Sequence, residues 1–186
     1  MKTRPLARAA GAAALALVLW QCGGGDDGAR GASAASSRRV DACALVPKDE
    51  VETIVGASIA SASGNFSEHT YTKPVSFTAS CMYMGERAVM LGVHYPVPQG
   101  RGTSEELASR ITEQLRSAAD DDPSIDELYK TTEVRPVAGL AGPAAEYVML
   151  DQTTLEARAG QYQLKVVAPS LESARGVAAK AIEQLE

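Results

Sequence analysis

The first 22 residues combine a basic start, an apolar run and a cysteine. Three basic residues precede residues 9–20, a run of twelve that is apolar apart from Gly11. A charged start followed by an apolar run of about 7–15 residues is the plan of a secretory signal. As a helix the run spans roughly 18 Å, short of the ~30 Å hydrocarbon core of a bilayer. The pattern predicts an export signal at residues 1–21.

Cys22 follows the apolar run directly, and Leu19 stands three residues before it. This arrangement resembles the signal of bacterial lipoproteins, in which the cysteine is lipidated and becomes the first residue of the mature chain. Trp20 and Gln21 stand where that signal usually has small residues. The resemblance implies lipidation of Cys22 and anchoring in a lipid bilayer. The alternatives are an uncleaved anchor, with Trp20 at the membrane interface, or simple secretion.

The mature chain implied by this signal carries 15 basic and 23 acidic residues, a balance of −8. Anionic head groups repel such a surface, so the bilayer contact would come from acyl chains on Cys22, and no nucleic-acid partner is expected. Residues 22–40 are rich in Gly, Ala and Ser, which predicts a flexible tether reaching roughly 23 Å. Gly23 replaces the aspartate that commonly marks inner-membrane retention. The expected location is the outer membrane, facing the periplasm, in a Gram-negative host.

Lipidation of Cys22 leaves an even pair of cysteines, Cys43 and Cys81. An exported compartment is oxidising, so this pair predicts a disulfide bond. The loop it closes has about 39 residues, for which the chain-entropy relation gives roughly 4 kcal/mol as an upper figure. The alternative is two buried free thiols. A metal site is disfavoured because no Cys-x-x-Cys or His-x-x-x-His spacing occurs.

Hydrophobic periodicity in residues 41–186 predicts a single domain that mixes helices and strands. Residues 76–84 and 88–95 alternate apolar and polar side chains, as in two half-buried strands joined by a hairpin turn. Residues 57–75 are polar and predict a loop or a weak strand. Further strands are predicted at residues 145–150, 155–159 and 162–166, and helices at residues 47–56, 103–119, 123–129 and 171–185.

This order of elements predicts a two-layer α+β domain, with an antiparallel sheet of five or six strands covered on one face by helices. In the closing helix, Val177, Ala181 and Ile182 share one stripe and are predicted to be buried against the sheet. Polar residues alternate along the last two predicted strands. Their spacing predicts that the other face of the sheet meets water.

Residues 41–47 read D-A-C-A-L-V-P, a D-x-C-x-L start that leads into a predicted short helix ending at Gly56. This opening resembles that of a group of small bacterial envelope lipoproteins of unknown function. The later C-M-Y at residues 81–83 matches that group's second cysteine near an aromatic residue. Residues 139–145, G-L-A-G-P-A-A, resemble its late glycine turn. The resemblance implies a disulfide and an α+β fold, and it implies no activity.

The sequence contains no arrangement typical of catalysis. The motifs G-x-S-x-G, S-x-x-K and H-E-x-x-H and the P-loop are absent. His69 is interpreted as a solvated loop residue, with pairing to Glu68 as the alternative. His94 is interpreted as an exposed residue of a strand. The acidic run at residues 120–122 lacks the glycine and glutamate that a calcium loop requires. The sequence therefore predicts no catalytic residue, no metal and no cofactor.

Two functional classes remain. The first is a non-catalytic binding module that engages another envelope protein or a small ligand on the exposed sheet face. The second is an envelope-assembly or inhibitor-type lipoprotein whose partner is one enzyme or secretion machine. A closed apolar pocket would favour a small ligand, whereas a flat apolar patch would favour a protein partner.

Overall fold

The computed structural model describes residues 39–98, 102–121 and 126–186, so the predicted signal, Cys22 and most of the predicted tether lie outside it. The described residues form five helices and seven strands. The helices are α1 (Ala42–Leu45), α2 (Lys48–Val55), α3 (Ser104–Asp121), α4 (Asp126–Thr131) and α5 (Leu171–Leu185). The strands are β1 (Ile59–His69), β2 (Ser76–Gly85), β3 (Val89–Tyr95), β4 (Val134–Val137), β5 (Ala144–Met149), β6 (Gln152–Ala159) and β7 (Tyr162–Ala168).

The strands form one open antiparallel sheet in the order β1-β2-β3-β7-β6-β5-β4. Two meanders, β1 to β3 and β4 to β7, are joined by the pairing of β3 with β7. The predicted α+β fold with an antiparallel sheet is confirmed. The predicted number of five or six strands is wrong, because the polar β1 pairs along its length with β2 and the four-residue β4 forms the other edge.

One side of the sheet, here called the core face, carries the main hydrophobic core. Successive side chains of a strand point to opposite sides of the sheet, so every second residue lies on the core face. Among them are Cys81, Leu91, Val166 and Leu155, which are successive cross-strand partners on β2, β3, β7 and β6. All four are fully buried. Helices α1, α2 and α5 contribute to the same core. The predicted burial of the α5 stripe is confirmed for Val177, Ala181 and Ile182.

Helices α2 and α5 have the termini that the sequence predicts. Gly56 ends α2 in the left-handed conformation, with φ 61°. Residues other than glycine rarely adopt this backbone conformation. The Ser170 hydroxyl accepts a hydrogen bond from the Ser173 N–H at the start of α5. The two helices approach closely at Gly176, where an added Cβ would lie 2.7 Å from Ile54 Cγ2. A side chain at residue 176 would therefore require the Ile54 side chain or one of the two helices to shift.

A disulfide joins Cys43 in α1 to Cys81 in β2, and the predicted pairing is confirmed. The Asp41 side chain caps α1 by accepting a hydrogen bond from the Cys43 N–H. Two residues after Cys81, the Tyr83 hydroxyl donates to the Val46 carbonyl at 2.6 Å. Burial, with a smaller contribution from Asp41, raises the pKa of Tyr83 to about 12, so this phenol remains a donor. The disulfide and this hydrogen bond fix the start of the domain to β2.

A second group of buried apolar side chains lies on the opposite side of β4 and β5. Ala145 and Tyr147 alternate with Ala144 along β5, so they point away from the core face. Both are buried, and α3 packs against β4 and β5 while α4 packs against α3. The buried side chains that the two helices supply are Leu107, Ala108, Ile111, Leu115 and Tyr129.

The prediction that helices cover one face of the sheet is therefore wrong. Helices α1, α2 and α5 lie on the core face, and α3 and α4 lie on the other side. The physical reason is that β5 begins with two consecutive buried residues, Ala144 and Ala145, which point in opposite directions. Each side of β5 consequently needs its own apolar cover.

The first described residues are held over the core face. The Arg39 guanidinium lies 4.3 Å from the centroid of the Phe66 ring, a cation–π contact. The Val40 N–H donates to the Tyr95 hydroxyl at 2.9 Å. Both aromatic residues belong to a row across four neighbouring strands, with successive ring centroids 5.9, 5.5 and 5.5 Å apart, formed by Phe66, Phe77, Tyr95 and Tyr162.

The packing of α5 predicts a large difference between two aspartate substitutions. Ile182 is 3 % exposed, so Ile182→Asp places a carboxylate in the core and should lower the free energy of unfolding by roughly 3–5 kcal/mol. Gln184 is exposed on the same helix, and Gln184→Asp should be nearly neutral. Chemical denaturation of both variants measures the difference. Equal midpoints would contradict this packing.

Candidate functional site

The side of β1, β2, β3 and β7 opposite the core face is here called the open face. Within the described residues, the helix packed most closely against β2 and β3 is α1, which lies on the core face, and α3 packs most closely against β4 and β5. The open face adjoins α3 and α4, which cover the same side of β4 and β5. Its residues on β2, β3 and β7 are Thr78, Ser80, Met82, Met84, Met90, Gly92, His94, Gln163, Lys165 and Val167.

Two histidines of the open face share one threonine hydroxyl. Thr78 Oγ1 lies 3.0 Å from His69 Nε2 and 3.2 Å from His94 Nδ1. The Tyr71 hydroxyl lies 3.1 Å from the other ring nitrogen of His69, and the two imidazole centroids are 6.2 Å apart. These side chains come from β1, its following turn, β2 and β3. The β1–β2–β3 meander thus brings together residues that are as many as 25 positions apart in the sequence.

The shared hydroxyl makes the proton positions of the two rings interdependent. A threonine hydroxyl carries one proton, so Thr78 can donate to one ring nitrogen only, and the other nitrogen must donate to it. Burial, followed by the neighbouring His69, lowers the pKa of His94 below its ordinary value, against an opposing contribution from the Phe77 carbonyl. Protonation of His94 at Nδ1 would make Thr78 the acceptor from that ring. The cluster can therefore change its donor pattern as pH falls.

A second polar cluster centres on Glu156 in β6. Its two carboxylate oxygens accept hydrogen bonds from the Tyr147 hydroxyl at 3.4 Å and from the Gln163 amide at 3.1 Å. Lys165 is the direct cross-strand partner of Glu156 on β7. Burial, together with the charge of Glu156, raises the pKa of Tyr147, so the phenol stays protonated and donates to the carboxylate.

The β3–β7 pairing places the two clusters side by side. His94 is the cross-strand partner of Gln163, and Gln163 in turn hydrogen-bonds to Glu156. Hydrogen-bonding side chains therefore extend from β1 to β5 across neighbouring strands. A sheet face of this kind can bind a ligand by several simultaneous polar contacts.

The structure corrects one of the sequence interpretations of these residues and revises two. The prediction that the polar residues of the last two strands meet water is wrong for Glu156 and Lys165, which are 7 % and 5 % exposed. They pair across strands instead of facing solvent. His69 ends β1 and contacts Tyr71 and Thr78, where the sequence predicted a solvated loop residue. His94 is only partly exposed.

The lipidation site predicted at Cys22 lies outside the described residues, whereas Cys43 and Cys81 are brought together in the disulfide. In the described part of the chain, no group of three or more His, Cys, Asp or Glu side chains is arranged to hold a metal ion. None of the helices in those ranges has the length and apolar character needed to cross a bilayer.

Two surface hollows lie beside α2, away from the open face. One, of about 470 Å³, is lined by Glu52, Gly56, Ala57, Ser58 and Glu86. The other, of about 370 Å³, is lined by Glu50, Thr53, Ile54 and Lys180. Charged side chains rim both hollows, unlike the closed apolar pocket that would favour a small apolar ligand.

Comparison with known proteins assigns no relatives: no protein-family model matches the chain, and no curated protein is similar to it at a significant level.

The environment of His94 predicts how the cluster titrates. Its pKa is lowered from 6.5, so below that pH the unfolded chain binds more protons than the folded one. The contribution of His94 to stability is complete above pH 6.5 and is lost as pH falls through its folded pKa. NMR titration of the ring resonances should give a His94 pKa below that of an unfolded peptide.

His69→Gln is the matched variant for this titration. Removing the neighbouring imidazole should raise the pKa of His94, because His69 contributes to lowering it. His94→Gln should flatten the decline in stability at acidic pH. A His94 pKa at or above 6.5 would contradict the structure of this cluster.

Proposed function

We propose that this protein is a non-catalytic envelope lipoprotein. Acylated Cys22 holds the domain at a membrane, on the periplasmic side of the outer membrane if the host is Gram-negative. The open face binds another envelope component or a small ligand. The D-x-C-x-L opening and its resemblance to small envelope lipoproteins support this assignment, and no catalytic residue is part of it.

The disulfide supports the tethering half of this proposal. The chain contains three cysteines, and the bond between Cys43 and Cys81 leaves Cys22 as the cysteine available for lipid. Structural disulfides persist in oxidising compartments, which agrees with export. Cys22 also follows the apolar run of the predicted signal.

The open face supports the second part of the proposal, that the domain binds a partner. The single observation behind it is that hydrogen-bonding side chains of this face, among them Thr78, His94 and Gln163, are partly exposed, while the closest helix packing on β2 and β3 is on the core face. Helices cover the core face, and α3 covers β4 and β5 on the other side, so the open face of β1, β2 and β3 is left for an external partner. The open face spans four strands, a breadth that suits a protein partner. The hollows beside α2 are rimmed by charged side chains and suit an apolar small ligand less well.

The alternative is an envelope-assembly or inhibitor-type lipoprotein that acts on one enzyme or secretion machine. The turn between β1 and β2 favours it, because Tyr71 is 72 % exposed and Val75 is 38 % exposed there. A projecting turn with an aromatic residue can enter the cleft of a partner. Tyr71 also hydrogen-bonds to His69, which links this turn to the open face.

Replacing the proposed lipid-bearing residue tests the tether. Cys22→Ala should move the protein from the membrane fraction to the soluble fraction or leave it as an unprocessed precursor. Intact-mass measurement of the wild-type mature protein should show an added diacylglycerol group. Ser36→Ala is the control, because it changes a residue of the predicted tether and leaves Cys22 and both disulfide cysteines in place. A mature wild-type mass without lipid would contradict the proposal.

Photo-crosslinking tests the binding face. A photoreactive phenylalanine analogue at Ser80, in the middle of the open face, should crosslink to a partner in intact cells. The same analogue at Gln184, exposed on the outer side of α5, should give little or none. Mass spectrometry of the crosslinked band identifies the partner. Equal crosslinking from residues 80 and 184, or none from residue 80, would contradict a binding role for the open face.

A further inference from the structure

The methionines of the described domain are concentrated on one side of the sheet. The chain has five methionines, of which the first is Met1. Met82 and Met84 on β2 and Met90 on β3 belong to the open face, and Met149 lies on the same side of β5, opposite Gln152. The core face is instead built from Val, Leu, Ile, Ala and Tyr. Filling of the main core therefore does not account for these methionines.

Three of the four methionines are close neighbours. Met82 is the direct cross-strand partner of Met90, a relation that places two Cβ atoms about 4.5–5.5 Å apart. Met84 points to the same side two residues further along β2 and is diagonal to Met90, with Cβ atoms about 7–8 Å apart or less. Each thioether lies two bonds beyond its Cβ and turns freely, so the three sulfurs can converge on one point.

The three methionines can be reached from solvent, and their direct cross-strand neighbours are uncharged. Met84 is 45 % exposed, and Met82 and Met90 are partly exposed. Their cross-strand neighbours on the open face are Ser61 and Ser63 on β1 and Val167 on β7. None of these direct neighbours carries a charge or a carboxylate, the group that hard cations prefer.

Thioether sulfur is a soft, neutral ligand. Among biological metals it selects Cu(I), whereas Ca²⁺ and Mg²⁺ require oxygen and Zn²⁺ prefers thiolate and imidazole. A thioether does not need to lose a proton to bind, so such a site stays competent in acid. Three thioethers at the apices of a triangle suit the low coordination number of a monovalent d¹⁰ ion.

We propose that Met82, Met84 and Met90 form a binding site for Cu(I) on the open face. The site binds the ion by coordination alone, so no bond of the protein breaks and no electron is transferred. Met149 is not part of it, because three strand spacings, roughly 14 Å, separate β5 from β3. The proposal is independent of lipidation at Cys22, since all three ligands lie in the described domain.

Titration with Ag(I), a redox-inert monovalent d¹⁰ ion, tests this site in the full-length protein carrying Cys22→Ala, because a free thiol would bind the ion more tightly than the thioethers. NMR of ¹³C-methyl-labelled methionine should show the signals of Met82, Met84 and Met90 shifting together and saturating at one equivalent. The Met149 signal should stay in place. Competition with a coloured Cu(I) chelator under ascorbate should then give the Cu(I) affinity.

Leucine variants separate metal coordination from simple apolar contact. Met82→Leu, Met84→Leu and Met90→Leu keep the apolar volume but remove sulfur, and each should weaken Cu(I) binding by at least about tenfold. Met149→Leu, the matched control, should bind as the wild type does. Thermal melts should show all four variants folded, so that lost binding reports on sulfur.

Two results would overturn the proposal. The first is Ag(I) and Cu(I) binding that leaves the three methyl signals unmoved or shifts the His69 and His94 rings instead. The second is unchanged Cu(I) affinity in all three leucine variants. If in addition those variants still crosslink to a partner from Ser80, the methionines serve as an apolar contact surface.

Discussion

The pairing of β3 with β7 is the constraint on which the rest of the structure depends. It is where the two meanders of the described sheet exchange main-chain hydrogen bonds. On the core face it aligns Leu91 with Val166, which makes one continuous core for α5 to cover. On the open face it aligns His94 with Gln163. The cluster around Thr78 and the cluster around Glu156 therefore lie next to each other. A shift of one residue in this register would turn each of these side chains to the opposite side.

The elements with strong local signals can be predicted from the sequence, and the others exist because a neighbour supplies their partner. Strands β2 and β3 carry their large buried side chains at alternate positions, and α5 has both an apolar stripe and a serine cap. Strand β1 is rich in Ser, Gly and Asn, which disfavour strands, yet it extends over eleven residues because β2 pairs with it throughout. Strand β4 has four residues including Pro136, too few for periodicity to show.

The polar clusters show why the candidate site could not be predicted. Sequence alternation shows that His94 points to the opposite side of the sheet from Val93, and that Gln163 points to the opposite side from Leu164. It does not show that β3 and β7 are neighbouring strands. Long-range pairing alone decides that Lys165 lies between Gly92 and Glu156. Opposite charges directly across a strand pair offset the cost of burying them. Polar residues that the sequence pattern assigns to water can therefore be buried partners.

The helices and the first described residues cover the two sides of the sheet to different extents. Arg39 and Val40 bring the chain onto the core face through Phe66 and Tyr95, and the disulfide from Cys43 fixes that entry to β2. Any further contact on that side would have to displace elements that already pack there. The open face lies on the other side of those strands, where Thr78, Met82 and His94 are partly exposed and can be contacted while the main core stays in place.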